Sequence, residues 1–206
     1  MKTPLLKLVI ALAVGLSASS CAMFTSDMPM IASAQVASDF DTYEISRVGL
    51  MPFQGTDVDL TRADELQLAF YSEFSRTTPF ELVLLDGIDL EEVRGSEPYR
   101  RGWYHPTTII EISRRYNLDA VLFGTVVRDQ FFPPQELSVQ VDMVAAETGL
   151  VIWSSSAHLS AGDLRVQEGL KIFYDSEVTG AASWELSLVS PTRFARFAAF
   201  QIASLL

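Results

Sequence analysis

The sequence predicts an α/β sandwich built on a mixed sheet, and three patterns in it carry that prediction. Short apolar runs alternate with segments bearing a helical stripe, at 47–53 and 61–76 and again at 80–85 and 106–116. A third apolar run, 119–127, leads into a hairpin with one polar face, and the last third of the chain returns to helical spacing. Strand, helix, strand, helix, strand, hairpin, helices is an order that packs helices onto a sheet holding both parallel and antiparallel pairs.

The chain opens on a different kind of segment. Lys2 and Lys7 make a short positive start, Leu5 to Leu16 is almost wholly apolar, and Ser17 to Ser20 is a patch of small residues, the three parts of a secretory signal peptide. The apolar run falls short of the about 20 residues that a membrane-spanning helix needs. Directly behind it stands Cys21, the single cysteine of the chain. An unpaired thiol in an oxidising compartment is a liability, and no intrachain disulfide is possible.

The run Ala18-Ser19-Ser20-Cys21 resembles the lipobox of bacterial lipoproteins, with Ala18 where leucine is usual. That resemblance implies acylation of Cys21. Several acyl chains, at about 0.8 kcal/mol per buried methylene, hold far more firmly than one. Ala22 stands where an aspartate would signal retention at the inner membrane, so the resemblance implies the periplasmic face of the outer membrane. A second small-residue site, Ala32-Ser33-Ala34, offers cleavage before Gln35 instead and leaves the mature N-terminus open between Cys21 and Gln35.

Composition bounds the remainder. The 206 residues carry 15 basic and 26 acidic side chains; without residues 1–20 and their two lysines, 13 basic face 26 acidic, a net charge of −13. Such a surface repels nucleic acid and anionic headgroups. With 49% apolar residues, the chain past the signal segment is long enough for one domain with its own core, expected over 45–206.

Residues 21–44 show no period and read as the lipidated N-terminus and a tether, which at 5–6 Å times the square root of its length reaches about 25 Å. Arg47–Phe53 is a buried strand ended by Pro52 and a turn-prone QGTD. Thr61, with Asp64 three residues on, is expected to cap a helix whose Leu66, Ala69, Phe70 and Phe74 share a face. Phe80–Leu85 is a second buried strand. Residues 86–105 mix both charges with glycine, proline and aromatics and read mostly as loop.

Pro106 suits the first helical position, ahead of Ile109, Ile112 and Tyr116. Asp119–Val127 is a third strand. Leu137, Val139, Val141 and Met143 alternate with Ser138, Gln140 and Asp142, a strand with one wet face, and Glu147-Thr148-Gly149 turns the chain into a return strand at Leu150. Helices follow over 162–174 and from Ser190-Pro191 to Leu205, the latter with Phe194, Ala198, Ile202 and Leu205 in one stripe.

Few residues point to catalysis. The histidines are His105 and His158, and with one cysteine a zinc site would depend on carboxylates. There is no G-x-S-x-G elbow and no phosphate-cradling glycine loop before a helix. Asp39 and Asp41 lack the glycine and terminal glutamate of a calcium loop. No cofactor or metal is expected, and no enzymatic activity. The loop residues Tyr99, Arg100, Arg101, Trp103 and Tyr104 combine arginine with aromatics, the types that dominate binding hot spots, and form the candidate partner contact; their structural alternative is packing on the sheet with the arginines paired to Glu91, Glu92 or Glu97. Phe131-Phe132-Pro133-Pro134 reads as a strand end and turn.

The run DAVLFGTVVRDQFFPPQELSVQVDMVAAETGLVIWSSS, together with RVGLMPF and SPTRFARFAA, resembles a group of bacterial lipoproteins and envelope proteins that includes the curli-secretion component CsgG, the synthase activator LpoB and the N-terminal domain of TolB. The resemblance spans residues 45–206. It implies an α/β sandwich like the anticodon-binding domain, an envelope address, and action by binding a protein partner or by homo-oligomeric assembly, the alternative being a secretion-channel subunit of the curli type. Two departures qualify it. The hairpin at 136–158 belongs to the domain's own sheet, whereas a membrane-spanning hairpin needs about 9–11 lipid-compatible residues per strand. A tether of about 20 residues is also too short to cross the cell wall.

Overall fold

The computed structural model describes residues 28–55, 58–86, 106–176 and 183–206. The elements run β1 (Ser33–Val36), β2 (Arg47–Leu50), β3 (Gln54–Gly55), α1 (Leu60–Thr77), β4 (Glu81–Leu84), α2 (Pro106–Tyr116), β5 (Ala120–Gln130), β6 (Glu136–Ala145), β7 (Val151–Ser160), α3 (Leu164–Ser176) and α4 (Pro191–Ala203), with short 3-10 turns at Phe40–Thr42 and Trp184–Leu188. The seven strands form one sheet in the order β1-β7-β6-β5-β2-β4, with β3 also paired to β5. Pairing is parallel between β2 and both β4 and β5, and antiparallel through β5, β6, β7 and β1. The protein is therefore a mixed α/β domain, as the alternation of periods predicts.

The two sheet faces differ. On the first, Val139, Val141 and Met143 of β6 meet Leu122 and Val126 of β5 and Ala157 and Trp153 of β7 under the apolar sides of α1, α3 and α4. Phe70, Phe74, Trp153, Phe194 and Phe197 are all fully buried there. Burying each such ring contributes about 1.5–3 kcal/mol relative to exposure. Glycine is required at position 124, where a Cβ would lie 2.4 Å from the Phe53 ring. Between α1 and α4 the buried Glu73 carboxylate accepts from Arg76 at 2.5 Å and from Arg196 at 3.0 Å, so its charge is paired. On the second face, among the described residues, α2 packs Ile109 and Ile112 on Val121, Phe123 and Val144.

Three expectations change. Residues 28–44 are not a tether but part of the domain: β1 pairs antiparallel with β7, Ser33 opposite Ser156, and Ala32 is buried. Buried Gln201 clamps the approach to β1, accepting from the Ile31 N–H at 2.7 Å and donating to the Pro29 carbonyl at 3.2 Å. A four-residue edge strand of small and polar residues has too little alternation to show in sequence; its backbone bonds to β7 decide it. Helix α1 starts at Leu60, and its cap is Asp59, whose Oδ1 accepts from the Arg62 N–H at 2.8 Å, rather than Thr61. Asp59 offers the same short acceptor two residues earlier. Helix α4 ends at Ala203, and the Leu205 carbonyl instead accepts from the Trp153 indole at 3.2 Å.

Candidate functional site

The part of the second sheet face beyond α2 is wet. It is carried by the alternate residues of β6, whose other alternates fill the core, and by their register partners on β7: Ser138 opposite His158, Gln140 opposite Ser156, and Asp142 opposite Ser154. Beside them β5 contributes Thr125 and Arg128, and β1 contributes Ser33 and Gln35. Ser156 and His158 are exposed, while Asp142 is only 2% exposed. Its carboxylate accepts from the Ser154 hydroxyl at 2.6 Å and from the Gln140 amide at 2.8 Å, and that amide reaches the Ser154 oxygen at 3.3 Å. Ser138 and the His158 Nδ1 are hydrogen-bonded further along.

Among the described residues, the Ser138–His158 pair is the arrangement that comes nearest to a nucleophile and base. A working dyad needs a third group to orient the ring. Asp142, the carboxylate on the same face of β6, accepts from Gln140 and Ser154. Among the described residues no three His, Cys, Asp or Glu side chains gather to hold a metal. What this face offers is a set of hydrogen-bonding groups fixed on rigid strands.

The face runs out at the end of the sheet where β5 passes into β6. There Val127, Arg128, Gln130, Phe131, Phe132 and Ser138 line a cleft of about 630 Å³. Arg62 of α1 clamps Asp129 through two bonds, at 2.6 Å and 3.2 Å, and Arg128 pairs with Glu136 at 2.5 Å. Burial disfavours the charge on Arg62, but the hydrogen bonds and negative charges of Asp129 and then Glu65 outweigh it, so its affinity for the proton is raised.

The residues singled out from sequence, Cys21 and the loop group Tyr99, Arg100, Arg101, Trp103 and Tyr104, lie outside the described residues, as does His105. The 131–134 segment is the strand end and turn expected of it, with Phe131 and Phe132 exposed. The β6 half of the wet face is visible in the alternation of Ser138, Gln140 and Asp142. Its β7 half was missed, because in WSSSAH the core-facing Ser155 and Ala157 are small and leave no apolar alternation to read.

No protein-family model matches the chain, and no curated protein matches it. Solved structures are similar to it to differing degrees. A PelC dodecamer from Paraburkholderia phytofirmans is 11% identical, with 84% of this chain and 94% of that chain covered and a TM-score of 0.52. The lipoprotein GNA1162 from Neisseria meningitidis is 14% identical over 67% of this chain and 99% of that one, at a TM-score of 0.43. The LpoB C-terminal domain from Escherichia coli is 18% identical over 56% of this chain and 82% of that one, at a TM-score of 0.40. The class defined is a mixed-sheet α/β domain with the fold of the PelC subunit; at such identity the likeness is one of fold.

Proposed function

We propose that the protein is a non-catalytic lipoprotein, held by acylated Cys21 at the periplasmic face of the outer membrane, that works by binding a protein partner in envelope assembly or secretion. The observation that carries this reading is the wet face itself. Polar side chains from three strands, Arg128, Gln140, Ser154, Ser156 and His158 among them, stand on rigid backbone with exposed groups at Ser156 and His158. Preorganised hydrogen-bonding groups of this kind suit a protein surface better than a small molecule, whose sites are concave and mostly apolar. The loop group Tyr99, Arg100, Arg101, Trp103 and Tyr104 is the second candidate contact.

The packing of the N-terminal segment favours Cys21 as the mature start. Cleavage before Gln35 would remove Pro29, Ile31 and Ala32, with the Gln201 clamp and half of β1. Intact mass of protein purified from membranes should therefore begin at Cys21 with added lipid, and the Cys21→Ala protein should lose it. For the partner, Ser156→Arg combined with His158→Glu should abolish in-membrane crosslinks to other envelope proteins while thermal unfolding stays unchanged. A crosslinking pattern identical to wild type moves the contact to the loop, where Arg100, Arg101 and Trp103 are replaced next.

A second reading is self-assembly into a ring, as a subunit of a secretion channel. PelC of similar fold is described as a dodecamer, and here, among the described residues, β1 and β4 stand at the two different ends of the sheet, an arrangement compatible with a head-to-tail contact that can close. Native mass spectrometry of the lipidated protein in detergent separates the readings, since a ring gives one large discrete mass.

A further inference from the structure

Five exposed apolar side chains gather at one end of the sheet. The register places the end of β5 beside the start of β6, Gln130 opposite Glu136, and the end of β7 beside both, Ser160 opposite Glu136. At that end the β5–β6 loop presents Phe131 and Phe132, 51% and 68% exposed, with ring centroids 4.5 Å apart. The Arg62–Asp129 clamp brings in the first turn of α1 with Leu60, 86% exposed, and the chain leaving β7 brings in the first turn of α3 with Leu164, 79% exposed. Met30, also exposed, is tied to the same turn, because Arg165 donates to its carbonyl at 3.1 Å.

The loop is built rather than loose. The Gln130 amide donates to the Pro134 carbonyl at 2.8 Å, and the Ala161 N–H donates to the Gln135 carbonyl at 2.8 Å, so the two rings are held out from a fixed backbone. Charges at this end include two ion pairs, Arg62 with Asp129 and Arg128 with Glu136, and the exposed carboxylates of Asp59 and Asp163, each accepting from a backbone N–H of the first turn that follows it, at 2.8 Å. The five apolar side chains thus share one end of the sheet, while single exposed apolar residues elsewhere call for no explanation.

We infer that this end docks on the lipid surface, with Phe131, Phe132, Leu60, Leu164 and Met30 entering the headgroup region of a zwitterionic bilayer. The inference rests on the acylation of Cys21 proposed above. Where the chain emerges decides the occupant: Met28 lies seven residue steps beyond Cys21, and at 3.3–3.6 Å each they span at most about 25 Å. Met28 leads into Met30 at this same end, so the acyl chains enter the bilayer close to the rim. A docked rim adds apolar insertion to the lipid anchor and fixes the orientation of the domain, which holds the wet face roughly upright from the membrane, open to a partner in the periplasm.

Accessibility of nitroxide labels tests this on the full-length lipidated protein in phosphatidylcholine vesicles. Phe132→Cys and Leu60→Cys report the rim, and Leu150→Cys, in the exposed β6–β7 turn at the other end, reports water. With the Cys21 sulfur acylated, each variant holds one free thiol, and intact mass confirms the lipid first. The rim labels should relax several-fold faster with oxygen and several-fold slower with a water-soluble nickel chelate than the label at 150. Equal, water-like behaviour of all three in a protein shown to be acylated overturns the inference and leaves the anchor standing. Rim labels shielded from both reagents mean that a second copy or another protein covers this end, which also overturns it. Absence of lipid in the mass removes the anchor and the docking together.

Discussion

The two faces of the sheet are made by the same strands and do opposite work. Along β6, Val139, Val141 and Met143 point to one side and are essentially inaccessible, while Ser138, Gln140 and Asp142 point to the other. On the first side three helices cover the sheet and the contacts are rings and aliphatic chains. On the second, among the described residues, α2 packs near Val121 and Val144, and Asp142, Gln140 and Ser154 are hydrogen-bonded to one another. The difference assigns stability to one face and availability to the other, and it predicts a graded response to substitution.

The largest effect belongs to the packed face. Phe70 is fully buried, 4.5 Å from the Phe53 ring and 6.0 Å from Phe74, so Phe70→Ala should cost about 3–5 kcal/mol in urea unfolding. A loss under about 1 kcal/mol would mean that this face does not hold the fold. Next comes Gly124→Ala on the same face: the new methyl meets the Phe53 ring, and displacing a well-packed ring costs about 1–3 kcal/mol. On the other face Asp142→Ala should cost about 1–2 kcal/mol, because Ser154 and Gln140 lose their acceptor at a site that is nearly closed to water. If it costs as much as Phe70→Ala, the contrast between the faces fails.

Legibility in the sequence followed the same division. Wherever one face is apolar and the other wet, period alone placed the element: β6, with its three Ser, Gln and Asp positions, and α4, whose start at Ser190-Pro191 is found as expected. Elements held by backbone bonds left no period. The four residues of β1 and the two of β3 are set by register to β7 and β5, so the first was read as tether and the second as turn. The wet face was half visible for the reason already met in WSSSAH, where core positions are filled by serine and alanine under Trp153 and Leu159. Long-range pairing, rather than local preference, brought Ser138 to His158 across 20 residues.

His158→Ala gives the smallest change and the sharpest check on the comparison. His158 is exposed, and its bond to Ser138 links two groups that both reach solvent. Removing the ring lets the Ser138 hydroxyl turn to water, so no buried donor or acceptor is stranded, and the change in unfolding free energy should stay within about 0.5 kcal/mol. A partner that uses this face would register the same substitution strongly, because on binding the hydroxyl loses its water without gaining the ring. Stability unchanged with crosslinking reduced is the result that separates availability from support. A destabilisation above about 2 kcal/mol would instead make the Ser138–His158 pair part of the framework, and the exposed face would then be structural surface with its polar groups already spent on one another.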